Sequence, residues 1–402
     1  MRVSKWCLAV VLLVSGFTRP GWAASQKFHL QNGDRVLFYG DSITEQRYYP
    51  VAIETYVRTR FPNLQVKFLN SAVGGARVTG NWTAPVDLSL KRDVFPFKPN
   101  IVTIMLGMND GQYQPFDAAI FNTYKAGYVH IIQSLQAHLP GVKIVLIEPS
   151  PWDDVTHKPS YPVNPHHVPG GYNSVLLRYS LFLRKVGTQH HFMIVDFNTP
   201  LVRLMEEAEK VNPDLAEKIV PGRVHPGASA ELVMAQALLK AWNAPATVSH
   251  VEINASAGVV KRSDNATVAD LLAGHGRCSW TQTDKALPYP IMTLHSSKWP
   301  QFPPDPFGGG TEKIFWQTSL LGSETINPLA SMVTKLAEMY QALDSEILSV
   351  SGLKATGYTL NIDGNPVGTF SRKQLADGIN LAQYDTPMMK QAYKVLNLVW
   401  DR

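Results

Sequence analysis

The stretch VLFYGDSITEQRYYP, residues 36–50, decides the fold. Four apolar residues run without a break into Gly40, Asp41 and Ser42, and a polar stretch follows. An uninterrupted apolar run of this length, ended by a turn signal, is the pattern of a strand buried on both faces. Beyond the turn, Tyr49, Ala52, Ile53, Tyr56 and Val57 form a stripe at helical spacing.

The same alternation continues along the chain. Short apolar runs stand at 66–69 (VKFL), 101–106 (IVTIML), 142–147 (VKIVLI) and 192–197 (FMIVDF). Helical stripes lie between and after them: Tyr124, Tyr128, Ile131, Leu135 and Leu139 in one, and Val233, Met234, Ala237, Leu238, Ala241 and Trp242 in another. Five strands alternating with helices predict right-handed crossovers and a parallel sheet covered on both faces. The expected architecture over residues 24–246 is a flavodoxin-like α/β/α sandwich with a five-stranded sheet in the order 2-1-3-4-5.

After Pro245 the texture changes. VEINASAGVV and GYTLNIDGNPVGTFS read as strands, the second a hairpin across Asp363-Gly364-Asn365. PQFPPDPFGGG (300–310) reads as a loop, and 328–342 and 386–398 as helices. Residues 247–402 are therefore expected to form a β-rich accessory region with some helix.

The 402 residues are 45% hydrophobic, 17% charged and 10% aromatic, an ordinary globular composition. The first residues combine a charged start (MRVSK), an apolar run (WCLAVVLLVSGF) and a small-residue exit at Ala23. That pattern predicts a signal peptide over 1–23, and a secreted or periplasmic protein. The run is shorter than the ~20 residues needed to span a bilayer, and no later segment is long and apolar enough, so no membrane span is expected after cleavage. Losing Arg2, Lys5 and Arg19 lowers the formal charge from +5 to +2, which leaves nucleic-acid binding without support. Of the two cysteines only Cys278 then remains, so an internal disulfide is impossible.

In an open parallel sheet, chemistry collects at the carboxyl ends of the strands. The first strand ends at Ser42. The second leads into NSAVGGAR (70–77), the third into LGMNDG (106–111), and the last segment into VPGRVHPGASAE (220–231). Taken singly, each has an ordinary reading: Asp41 and Ser42 as a helix cap, Gly74-Gly75 as a tight turn, Asn109-Asp110 as a cap, His225 as a structural residue. Taken together they supply a hydroxyl, an exposed backbone N–H, a neutral amide donor and an imidazole. Those are the parts of acyl transfer, in which a base must take the serine's proton and donors must hold an oxyanion.

In that order the four segments, GDSI (40–43), NSAVGG (70–75), GMND (107–110) and RVHP (223–226), resemble the four blocks of the SGNH hydrolases, also called GDSL-type esterases. The resemblance covers roughly 34–243. It implies Ser42 as nucleophile, His225 as general base and later general acid, and an oxyanion hole made by the N–H of Ser42, the N–H of Gly75 and the side-chain amide of Asn109. One position departs from the pattern. The family's usual aspartate three residues before the histidine is Gly222 here. Three readings stay open: a backbone carbonyl orients His225; another carboxylate does so, with Asp196, Asp153 and Asp154 as candidates; or the site is weakened.

The expected function is a secreted serine esterase, with acetylated carbohydrate first among small-molecule or glycan ester substrates. Lipid or thioester hydrolysis, and a catalytically weakened carbohydrate-binding protein, are the alternatives. A flavodoxin-like redox protein is disfavoured, because the first strand-end loop lacks a phosphate cradle. No cofactor is expected, since no phosphate-binding glycine loop follows a strand. No metal site is expected from the histidine pairs 166–167 and 190–191. Trp82 and Trp152 stand just beyond strand ends, where a ring face would suit a sugar or an acyl chain. The long aromatic loop 149–171 reads as a specificity element.

Overall fold

The computed structural model describes residues 27–157, 168, 170–274, 276–291 and 328–402. The expected leader, His166 and His167 with most of their loop, and the proline-rich stretch 300–310 lie outside the described residues.

Five parallel strands form the main sheet: β1 (Arg35–Gly40), β2 (Lys67–Asn70), β3 (Ile101–Met105), β4 (Lys143–Ile147) and β5 (Met193–Val195). Their order is β2-β1-β3-β4-β5, as the alternation predicts. The register pairs Phe38 with Asn70 on one side and Thr103 on the other. Val36, Leu37, Phe38 and Tyr39 are all buried, which is why β1 shows no polar alternation. β5 is shorter than the apolar run 192–197, because Asp196 turns out of the strand to cap the next helix by accepting from the N–H groups of Asn198 and Thr199, both at 2.8 Å.

The helices are α1 (Tyr48–Arg60), α2 (Ala118–His138), α3 (Asn173–His190), α4 (Asn198–Val211) and α5 (Ala228–Ala241). α1 meets α5 through the Tyr49 N–H, which donates to Glu231 at 2.8 Å. α2 meets α3 through Tyr124 and Tyr179, whose rings lie 4.3 Å apart.

The C-terminal part contains a second sheet of β6 (Thr247–Asn254), β7 (Val259–Asp264), β8 (Ser345–Ser351) and β9 (Ile379–Asn380), in the order β9-β8-β6-β7. Two hairpins accompany it: 357–371, expected from Asp363-Gly364-Asn365, and 266–284, which the sequence reading did not identify. Val251, Ile253, Leu348, Val350, Phe370 and Leu375 form its own core.

Of its helices, Arg372–Asp377 places Leu375 in that core, and others belong elsewhere. Met339 and Leu343, together with Tyr393, Leu396 and Trp400 of α6 (Pro387–Trp400), pack into the core of the α/β part. Consequently every residue of α1 except Arg58 is buried, where the sequence shows only one apolar stripe. Trp400 stacks on Tyr48 at 5.6 Å, and Arg47 donates to the Trp400 carbonyl at 3.0 Å. Arg60, fully interior, donates to the carbonyls of Pro245 (2.6 Å) and Leu343 (2.9 Å) and lies 3.5 Å from Asp344. A buried guanidinium is tolerated because carbonyls and a carboxylate take the place of water.

Candidate active site

β1 must end on glycine for a reason of space. A Cβ on Gly40 would lie 2.3 Å from Thr44 Oγ1 and 3.1 Å from the Met105 carbonyl. Only a residue without a side chain lets the short helix Ser42–Glu45 close back onto the strand end. Asp41 caps that helix, accepting from the Ile43 N–H at 3.1 Å. The capping reading and the candidate nucleophile therefore belong to different residues. Asp41 turns inward to cap, and Ser42 stands half-buried in the first helical turn.

His225 returns to Ser42 from the far edge of the sheet. α4 and the short helix Pro213–Ala216 occupy most of the chain between β5 and His225. Gly227 then donates to the Ile219 carbonyl at 2.9 Å, closing a loop that presents the imidazole. His225 Nε2 lies 2.8 Å from Ser42 Oγ.

The glycine and asparagine blocks meet at the same place. A Cβ on Gly74 would lie 3.8 Å from Ser42 Cβ, so this loop packs directly beside the serine. Gly75 has φ +69°, and the space its side chain would occupy is open. Asn109 Nδ2 lies 3.3 Å from the Ala76 carbonyl and 3.5 Å from Asp41 Oδ2, so it touches the neighbours of both Gly75 and Ser42. Ser42, Gly75, Asn109 and His225, from four distant parts of the sequence, thus share one site.

Two carboxyls lie beneath it. Burial pushes Asp41 up to about 7 against the pull of the Ile43 N–H. Burial likewise pushes Asp110 up to about 7, against the Val78 N–H that donates to it at 2.9 Å.

The carboxylates named as partners for His225 are committed elsewhere. Asp196 caps α4 and pairs with Arg184 at 3.2 Å. Asp153 accepts from the N–H groups of Val155 (2.8 Å) and Thr156 (2.9 Å), within its own turn. Asp154 accepts from the Asn173 N–H at 2.9 Å. Asp153 instead serves through its backbone. Its N–H donates to the Arg223 carbonyl at 3.0 Å, and Arg223 Nη1 donates back to the Asp153 carbonyl at 3.0 Å. This reciprocal pair tethers the histidine loop to the loop after β4. Arg223 was not singled out in the sequence, because nothing there shows that its backbone is left-handed, at φ +68°.

The two tryptophans part company. Trp152 is buried, with its ring 5.6 Å from those of both Tyr113 and Tyr172. Trp82 is 82% exposed on the turn 80–85. His190 and His191 are exposed at the end of α3. Among the described residues no group of three or more His, Cys, Asp or Glu is placed to hold a metal ion. Nor is any helix among them long and apolar enough to cross a membrane.

Residues 38–231 match the model of the GDSL-like lipase/acylhydrolase family. The fold is similar to that of a solved gut microbial diltiazem-metabolizing enzyme, with 26% identity, TM-score 0.74, and coverage of 92% of this chain and 78% of that one. A solved acetylxylan esterase from Geobacillus stearothermophilus aligns at 20% identity and TM-score 0.41, over 53% of this chain and 96% of its own. No curated protein matches the chain.

Proposed function

We propose that this chain, whose residues 38–231 match the GDSL-like lipase/acylhydrolase family, is an ester-bond hydrolase that cleaves carboxylic esters through an acyl-enzyme on Ser42. The observation that carries this reading is the 2.8 Å contact between Ser42 Oγ and His225 Nε2. In the reactive tautomer Nε2 accepts the hydroxyl proton while Oγ bonds to the ester carbon. The carbonyl oxygen becomes an oxyanion. In this reading three donors hold it: the N–H of Ser42, which the first turn of a helix leaves without an intrahelical partner, the N–H of Gly75, and Asn109 Nδ2. Collapse of the intermediate breaks the bond to the alkoxy oxygen, which takes the proton back from Nε2 and leaves as the alcohol. Water, deprotonated by the same nitrogen, then releases the acid and restores the serine.

The pair works without an aspartate at position 222. The reciprocal Asp153–Arg223 contacts and the tight turn at Gly222-Arg223 fix the loop that carries the imidazole. Export directed by residues 1–23 is part of the same reading. The substrate we favour is an acetyl ester on a carbohydrate or another small hydroxylated molecule. Export and the added β-rich region support it, and so does the exposed Trp82 ring.

Hydrolysis of p-nitrophenyl acetate tests the chemistry. Ser42→Ala is expected to lose at least about 10³-fold in turnover and all labelling by a fluorophosphonate. Equal rates for variant and wild type would exclude the serine. A panel of acetylated xylan, acetylated monosaccharides and short and long acyl esters then ranks the substrates. Preference for long acyl chains would replace the carbohydrate reading with a lipid one.

A further inference from the structure

We infer that Tyr113 is a positioning residue for the oxyanion-binding amide. Its hydroxyl, donating to Oδ1 of Asn109 at 2.8 Å, holds that side chain with its NH2 group turned toward the carbonyl under attack. This inference rests on the reading of Asn109 as an oxyanion donor.

The amide's orientation is chemically determined. The Ala76 carbonyl, 3.3 Å from one end of the amide, only accepts, so that end is the NH2. The other end is then the oxygen, and it receives the Tyr113 proton. The terminal torsion of asparagine is broad and roughly two-fold. Without the phenol the amide is freer to turn over and present its oxygen, an acceptor, to a developing negative charge. A donor becomes a repulsive group by a rotation that changes almost nothing in the packing.

Tyr113 is itself held firmly. Its ring lies 5.3 Å from that of Tyr172 and 5.6 Å from that of Trp152. Tyr172 in turn donates its hydroxyl to the Met108 carbonyl at 2.8 Å, so both tyrosines brace the block that carries Asn109. Gln112 (φ +57°) and Tyr113 (φ +53°) are consecutive non-glycine residues in the left-handed region. Such a conformation is unfavourable for an L residue and persists only where packing enforces it. The strained turn is what brings a side chain four positions beyond Asn109 back onto its amide. Burial also raises the phenol well above its ordinary range, so the donor proton is retained across the working pH of an esterase.

The test uses the full chain with Tyr113→Phe, Asn109→Ala and the double variant, all assayed on p-nitrophenyl acetate. Tyr113→Phe keeps the ring and removes only the hydroxyl, and an unchanged thermal melt verifies the packing. It is expected to lower kcat about 10-fold with KM unchanged, the scale of one hydrogen bond. It should weaken binding of phenylboronic acid, which forms a tetrahedral adduct with an activated serine, by a similar factor. Asn109→Ala is expected to lose about 10²–10³-fold, and adding Tyr113→Phe to it should cost nothing further. A wild-type kcat for Tyr113→Phe beside a deficient Asn109→Ala overturns the inference and leaves the oxyanion reading standing. Equal losses from Tyr113→Phe in both backgrounds also overturn it, since the hydroxyl would then act elsewhere. A wild-type rate for Asn109→Ala removes the oxyanion role of the amide and this inference together.

Discussion

Gly222 marks how far a single residue's chemistry depends on backbone shape. An aspartate there, as in the family pattern, would meet no steric obstacle, since a Cβ finds nothing within 4 Å. The backbone is nevertheless left-handed, at φ +66°, a conformation that costs an L residue about 1 kcal/mol or more. Gly222→Asp is therefore expected to keep its esterase rate while its unfolding free energy from urea titration falls by that amount; a collapse of activity in a folded variant would show that the histidine loop is held differently. Asp110 gives a second expectation at this scale. Its pKa rises from 3.8 to about 7 on folding, so the folded state holds the proton more tightly than the unfolded one. Its contribution to stability is complete below about pH 4 and is lost as the pH climbs through about 7. Asp110→Asn keeps an oxygen for the Val78 N–H and removes that loss. Its stability relative to wild type should rise between pH 4 and pH 8, by at most about 4 kcal/mol. Urea midpoints at the two pH values measure this, and a difference that does not change with pH refutes it.

At the scale of elements, α1 shows what a helical stripe reveals and what it conceals. Tyr49, Ala52, Ile53, Tyr56 and Val57 predict a helix with one face in the core, and that face is buried. The helix also carries Glu54, Thr55, Thr59 and Arg60, polar residues that read as solvent-facing and are buried as well. For Glu54 and Arg60, partners come from beyond residue 240, and no local pattern could announce them. Arg402 pairs with Glu54 at 3.0 Å, and Arg60 meets Pro245, Leu343 and Asp344. Arg60→Ala would take a donor from the Leu343 carbonyl and leave Asp344 without its cation. Burial already outweighs Arg60 and pushes Asp344 up to about 7, so the carboxyl can take a proton instead of remaining a bare charge. The expected loss is therefore about 2–4 kcal/mol in chemical denaturation, below the extreme for a broken buried pair. A loss under 0.5 kcal/mol, within the range of an ordinary surface change, would mean that α1 is not held by this contact.

For the molecule as a whole, the accessory part is not a detachable appendage. Its sheet has a separate core, yet Met339, Leu343, Tyr393 and Trp400 complete the core of the α/β part. The solved enzyme similar over 92% of this chain extends the likeness across both parts. A chain ending after Pro245 would expose Tyr48, and would take Leu343 and Asp344 from Arg60 and Arg402 from Glu54. It is expected to be insoluble or to melt without cooperativity, where the full chain melts in one transition. A soluble, cooperatively folded fragment of residues 27–245 would show that the two parts are energetically independent.

Strand order, the α/β/α class and the four blocks around Ser42, Gly75, Asn109 and His225 were legible in the order of residues alone. Apolar periodicity and turn chemistry are local, and each block is tied to the end of a strand or to the start of a helix. Only the tertiary structure decided that Asp153, Asp154 and Asp196 are committed away from the histidine, that Tyr113 reaches the Asn109 amide, and that the C-terminal helices bury the far side of α1. Those outcomes depend on hydrogen bonds and contacts between residues far apart in the chain, or on backbone angles such as those at Tyr113 and Arg223. Residue spacing carries neither kind of information.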